Sequence, residues 1–227
     1  MTEVGPLDGR SGDEDVRVAI YRGLADTGRC PTPGEVVAAT GVADVGGAIA
    51  RLAEARHLAL DVAGAVVMAH PFTTRNLGFS VMGASTLWWG GCAWDSFALP
   101  HVLPDEPEVL VATRCPGCQA PHALVVARAR APGGDQLAHF LVPMAHCWDD
   151  VIHTCSHQRI FCGEACVDRW LAATGNDRGY VMDLATLWRL AAHWYEGRLD
   201  HGYVRRDPSA ATAYFRDVGL DGPFWGL

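Results

Sequence analysis

Two cysteine patterns in this sequence are able to do chemistry. The first is Cys92-Ala93-Trp94-Asp95, a thiol and a carboxyl three residues apart in what reads as one helical stretch, so both side chains can face the same way. A carboxylate raises the pKa of a neighbouring thiol by like-charge repulsion. That suits a simple thiolate nucleophile poorly, but it suits a site where a proton must be held and then delivered. Spacing alone favours a plainer account, a buried cysteine with a capping aspartate. The second pattern pairs Cys115-Pro116-Gly117-Cys118 with Phe161-Cys162-Gly163-Glu164-Ala165-Cys166, the latter at the start of an expected helix. A CxxC knuckle and a CxxxC helix start together look like a treble-clef zinc site in which Cys115, Cys118, Cys162 and Cys166 are four thiolate ligands. Its plain alternative is a set of buried small residues. Of the remaining cysteines, Cys30 and Cys147 read as bystanders, although Cys147-Trp148-Asp149-Asp150 is able to line a pocket.

Composition narrows the compartment and the partners. The 227-residue chain carries a net charge of -8, and all 18 of its basic residues are arginine. With no basic cluster to release counterions from a phosphate backbone, nucleic acid is not an expected partner. No apolar run approaches the roughly 18 residues of a membrane span, so no membrane is expected either. The acidic start, Met1-Thr2-Glu3-Val4, lacks the basic-then-apolar order of a secretory signal. A cytoplasmic location follows as an expectation, and there short-spaced thiols are more often metal ligands or reactive groups than disulfides.

The elements that must position these residues read as an α+β chain. Residues 1–12 form a flexible tail. Residues 13–75 form a winged-helix-like module, with one helix after Ser11-Gly12, a second opened by the capping box Thr32-Pro33-Gly34-Glu35, a third over 44–56 and a hairpin over 58–68. DNA binding is rejected for this module, because residues 1–70 hold ten acids against six arginines and the third helix offers only Arg51 and Arg56. Residues 76–227 form a second part, a mixed or antiparallel β core with flanking helices, which holds both cysteine patterns. There Leu87–Pro100 reads as a buried helix ended by proline, strands fall at 108–114, 122–130 and 137–143, and helices at 163–173 and 183–196. Trp188, Trp194 and Tyr195 sit at helical spacing and read as core packing. Trp88, Trp89 and Trp94 are able to wall an apolar pocket, with core as the default.

Cys92-Ala93-Trp94-Asp95, with aromatics before it and an apolar run to Pro100 after it, resembles the Cys-Ala-x-Asp element of the organomercurial lyases (alkylmercury lyases). Cys155-Ser156-His157-Gln158-Arg159-Ile160-Phe161, followed by Asp168-Arg169-Trp170, resembles that family's second-cysteine strand and the Glu-Asp-Trp beyond it. Cys115 falls where the family has a buried structural cysteine, and the N-terminal module matches the family's own. The sequence departs from the family in its CxxC and CxxxC pairs, whose positions there mostly lack thiols. The resemblance implies that Cys92 and Cys155 bind the mercury of an organomercurial and that Asp95 shuttles the proton that ends on carbon. It also implies that low-molecular-weight thiols or a mercuric reductase take the Hg(II); no cofactor is required for this catalysis, and the structural zinc rests on the CxxC and CxxxC pairs rather than on the resemblance. His153 and His157 bracket Cys155 and would lower its pKa if protonated. Two rivals stand beside this reading. One is a non-catalytic cysteine-based metal-binding or metal-carrier protein of the same fold, which has no use for a proton shuttle. The other is a winged-helix metal-responsive regulator, which the acidity disfavours.

Overall fold

The computed structural model describes residues 12–227, so all of the expected tail except Gly12 lies outside the described residues. Helix α1 (Asp13–Thr27) buries Val16, Ile20, Tyr21 and Leu24 along one stripe and carries three acids in its first turn, where they complement the helix dipole. It stops at Gly28, whose left-handed φ of 69° lets its N–H close on the Leu24 carbonyl. Helix α2 (Pro33–Thr40) opens with the expected capping box. The Glu35 N–H donates to Thr32 Oγ1 at 3.3 Å, and the Thr32 N–H donates to the Glu35 carboxylate at 2.7 Å. After α3 (Val45–Glu54), strands β1 (Ala59–Leu60) and β2 (Val66–Ala69) pair antiparallel across a turn.

This pair continues into a larger sheet. Strands β3 (Phe72–Thr73), β4 (Ser80–Met82) and β5 (Leu87–Gly90) precede helix α4 (Ala93–Val102), and β6 (Glu108–Arg114) and β7 (Pro121–Ala127) follow it. Together with β1 and β2 they form one seven-stranded sheet of order β1-β2-β3-β5-β4-β6-β7, antiparallel at every pairing. A second antiparallel sheet, β10-β8-β9, is built from β8 (Leu137–Phe140), β9 (Gln158–Phe161) and β10 (Tyr180–Asp183). Helices α5 (Val151–Ser156), α6 (Glu164–Thr174), α7 (Leu184–Ala192) and α8 (Pro208–Asp217) complete the chain. Among the described residues, no single helix is long and apolar enough to cross a membrane.

Helix α4 is the centre of the packing, with every residue from Ala93 to Pro100 buried. The single helix expected over Leu87–Pro100 is in fact a strand and a helix. Leu87-Trp88-Trp89-Gly90 pairs with β3 and β4, and the chain then turns at Gly90-Gly91. A Cβ on Gly90 would lie 2.1 Å from Ser96 Oγ, so the close approach of strand end to helix requires glycine. Nor does Pro100 end the helix, which runs on to Val102. The loss of its N–H falls near the C-terminus, where the Arg128 guanidinium takes the Pro100, Leu103 and Pro104 carbonyls at 2.7, 2.5 and 3.0 Å. Helix α7 is shorter than expected, ending at Ala192. Helix α8 was not foreseen, although Asp207 caps it and Pro208 opens it.

The second sheet carries a pH-sensitive group. His139 on β8 is fully buried between Phe161 and Trp170, and its Nε2 accepts the Gly179 N–H at 3.0 Å. Burial holds its pKa down at about 4, with the Arg178 charge adding to the effect. Between the unfolded value near 6.5 and about 4, the unfolded chain binds a proton that the native state refuses, so stability is lost as pH falls through that window. Denaturant midpoints should therefore drop from pH 7 to pH 5, and His139→Phe should flatten that slope. An unchanged slope in the variant would show that His139 takes up its proton in the native state.

Candidate active site

The site is assembled at the N-terminus of α4. Cys92 is its N-cap, in an extended conformation, and its sulfur accepts the Asp95 N–H at 3.3 Å. An N-cap sulfur faces the positive end of the helix dipole, which acts in favour of a thiolate there. Asp95 stands in the same first turn, so the capping aspartate of the plain account becomes a capping cysteine with an aspartate beside it. Gly91 is needed for this arrangement, because a Cβ there would lie 2.3 Å from Asp95 Oδ2.

Asp95 is 1% exposed, and a carboxylate that far from water needs partners. It has two. The Tyr195 hydroxyl donates to Oδ1 at 2.5 Å, and His70 Nδ1 lies 3.0 Å from Oδ2. Burial, then the Asp95 charge, push the Tyr195 phenol well above its ordinary range, so it stays protonated and donating. Arg198, itself buried, donates from Nε to the His70 carbonyl at 3.2 Å and stacks on Tyr195 and Tyr203. The Arg198 segment is tied in turn to α1, where the buried Arg17 guanidinium donates to the Arg198 carbonyl at 2.7 Å and to Glu14 at 2.7 Å.

Cys155 arrives from the far side on α5, capped by Asp150. The resemblance implied a strand here, but the strand begins only at Gln158. A short helix lets the capped turn present its inner residues, Thr154 and Cys155, to the core. Cys155 Sγ, His70 and Asp95 place their ligating atoms within 4.8 Å of one another. Cys92, Asp95 and Cys155 line one cavity of about 100 Å³. Trp94, Trp194 and Met144 form apolar wall, the buried Arg198 adds positive charge inside it, and the half-buried Arg205 and exposed Arg206 add more at its rim. Trp148 closes another side, with the Arg205 guanidinium 4.7 Å from its ring centre.

Both thiols are harder to ionise than free cysteine. Burial above all raises Cys92 well beyond its ordinary range, reinforced by Cys155 and the Asp95 charge. For Cys155 the neighbouring Cys92 thiol favours the thiolate, but burial and Asp95 outweigh it and the net shift is upward. His153 and His157 do not lower it. They stack on each other at 4.1 Å on the outer side of α5, with His153 exposed. Cys147 lines the cavity as a third thiol, raised to about 11 by burial first and then by Cys155. Cys30 lies in the loop after α1 and is not among the cavity residues.

The structure brings the two thiols and the carboxylate singled out in the sequence into one cavity, and beside them stand His70, Tyr195 and Arg198, which nothing in the sequence singles out as site residues. By its helical spacing with Trp188 and Trp194, Tyr195 reads as packing, yet its hydroxyl serves Asp95 while Trp188 donates to the Ala127 carbonyl. Of the three early tryptophans only Trp94 lines the cavity, whereas Trp88 bonds to the Leu24 and Ala25 carbonyls of α1. The other four cysteines also converge. Cys115, Cys118, Cys162 and Cys166 bring their sulfurs within 4.8 Å of one another at a place separate from the cavity.

Comparison with known proteins agrees with the geometry. The family model for alkylmercury lyase (MerB) matches residues 72–196, a span that holds Cys92, Asp95, Cys155 and Tyr195. Among solved structures, the mercury-bound form of MerB2 is similar in fold, with a TM-score of 0.65 at 16% identity over 84% of this chain and 92% of that one. No curated protein matches the sequence.

The raised thiols lead to a direct test. Alkylation of Cys92 and Cys155, followed by peptide mass mapping, should keep accelerating with pH past the free-cysteine value of about 8.5. A midpoint at or below that value would mean the arginines at the rim outweigh burial.

Proposed function

The chain belongs to the alkylmercury lyase family, and from that premise we propose that it cleaves the carbon–mercury bond of organomercurials by protonolysis. The observation that carries this reading is the meeting of two buried thiols with one buried, doubly hydrogen-bonded carboxylate in a single cavity. Mercury is a soft metal and prefers thiolates, and two thiolates push electron density onto it until the attached carbon is basic enough to take a proton. R–Hg–X enters, one thiol sulfur bonds to mercury as X⁻ departs, and its proton passes to Asp95. The second sulfur then bonds to mercury and its proton leaves to solvent or to X⁻. Asp95 returns its proton to carbon as the carbon–mercury bond breaks, giving R–H and Hg(II) held by Cys92 and Cys155. The high thiol pKa values fit this order, because each thiol keeps its proton until mercury arrives to displace it.

Tyr195 and His70 hold the carboxylate in place while its proton comes and goes, one group serving as both general base and general acid. We read α1–α3 with β1–β2 as a winged-helix-like module that buttresses the cavity rather than binds DNA, a role supported by the Arg17 bond to the Arg198 carbonyl. Hg(II) then passes to low-molecular-weight thiols or a mercuric reductase, with Cys147 at hand in the same cavity.

Purified protein given phenylmercury and excess thiol should release benzene. Cys92→Ser and Cys155→Ser should each abolish that release, since a hard hydroxyl is a poor mercury ligand. Asp95→Asn should slow it by roughly 10²–10⁴-fold, the usual loss on removing a positioned acid–base group. Full benzene release by Asp95→Asn would leave the protein a thiol site without a proton shuttle, and release by either serine variant would remove that cysteine from the site.

A further inference from the structure

The four remaining clustered cysteines come from both sheets. Cys115 follows β6, and the turn to β7 carries Cys118, closed by the Cys115 N–H donating to the Ala120 carbonyl at 2.9 Å. Cys162 follows β9, and Cys166 lies in the first turn of α6. The two pieces are pressed together. A Cβ on Gly117 would lie 2.1 Å from the Cys166 carbonyl oxygen, and Arg169 of α6 donates to the Gly117 carbonyl at 3.2 Å.

The sulfurs are spaced for a metal rather than for a disulfide or a core. Cys118 Sγ and Cys162 Sγ are 3.5 Å apart, and all four sulfurs lie within 4.8 Å of one another. A tetrahedral ion with bonds of about 2.3 Å to sulfur sets its ligands roughly 3.8 Å apart. A disulfide would need about 2.05 Å, and all eight cysteines are free. Core packing does not account for the cluster, because Cys115 is buried while Cys118 and Cys162 are exposed, and exposed thiols have no apolar reason to converge. His122 on β7 places Nε2 3.9 Å from Cys162 Sγ, where an N–H can support a thiolate. The apolar cluster beneath has four buried members, Cys115, Phe161, Val167 and Leu171, with Leu141, Trp170 and Val181 partly buried against them, a small core for a corner where two sheets meet.

We propose that Cys115, Cys118, Cys162 and Cys166 bind one structural zinc ion that staples the β6–β7 turn to the β9–α6 junction. The staple sits seven residues beyond Cys155, at the other end of β9. It therefore fixes the strand that follows α5 against the sheet that leads into α4, and so sets where Cys155 meets Cys92. A closed four-thiolate site leaves no position open for a substrate, which makes it distinct from the two-thiol cavity.

The test uses the whole purified protein without any mercury compound. After growth in zinc-replete medium, elemental analysis should give about one zinc per chain, and exchange with cobalt(II) should give the visible spectrum of a tetrahedral four-thiolate centre. A mild thiol reagent should find these four cysteines protected until a chelator is added, and the chelator should lower the Tm. Cys118→Ser and Cys162→Ser should lose the metal. Should either fail to fold, the cobalt spectrum and chelator-dependent thiol count of the unaltered protein still decide the matter. Zinc-free protein whose Tm ignores chelator and added zinc, a cobalt spectrum of nitrogen and oxygen ligands, or a Cys118–Cys162 disulfide in reduced preparations would each overturn the proposal.

Discussion

A carboxylate buried to 1% exposure is the constraint around which the rest of the molecule is arranged. A buried carboxyl without partners would cost several kcal/mol, so each Asp95 oxygen needs a donor brought by another part of the chain. Tyr195 comes from beyond α7 and His70 from the β2–β3 connection, while Asp95 itself rides on the most buried helix of the fold. Behind these partners stands a further layer. Arg198 holds the His70 carbonyl, and Arg17 of α1 holds the Arg198 carbonyl, so the first helix braces a carboxylate to which it makes no direct bond.

The same burial shapes the thiols. In a cavity largely walled by aromatic and aliphatic side chains a thiolate is poorly solvated, so Cys92 and Cys155 are held as thiols. A site of this kind is slow toward ordinary electrophiles and selective for a soft cation that forms strong bonds to sulfur. Burial acts on the arginines too, and Arg205 is shifted down to about 10, by burial first and then by Arg198.

Much of this was legible in the sequence because it is local. The Thr32–Glu35 capping box and strands β6 to β8 are each specified by neighbours in the chain, and each appears near its expected place. The Cys92/Asp95 pair was visible for the same reason, being one helical turn. What escaped was non-local. Leu87–Gly90 becomes a strand because β3 and β4 lie on either side of it, and Cys155 lies on a helix because Asp150 caps one there. Nothing near Tyr195 in the chain distinguishes a hydroxyl bound for Asp95, one hundred residues away, from a ring meant for packing. The four-cysteine cluster lies between these cases. Its two half-motifs are local, but only the fold brings them within 4.8 Å.

The central claim is that two sulfurs capture the mercury and the carboxylate delivers the proton, as separable acts. X-ray absorption at the mercury edge, on Asp95→Asn loaded with one equivalent of phenylmercury, tests it most directly. The account predicts mercury bonded to two sulfurs with its carbon still attached, whereas the unaltered protein treated in the same way should show two sulfurs and no carbon. Mercury with a single sulfur ligand, or mercury already stripped of carbon in the variant, would contradict it.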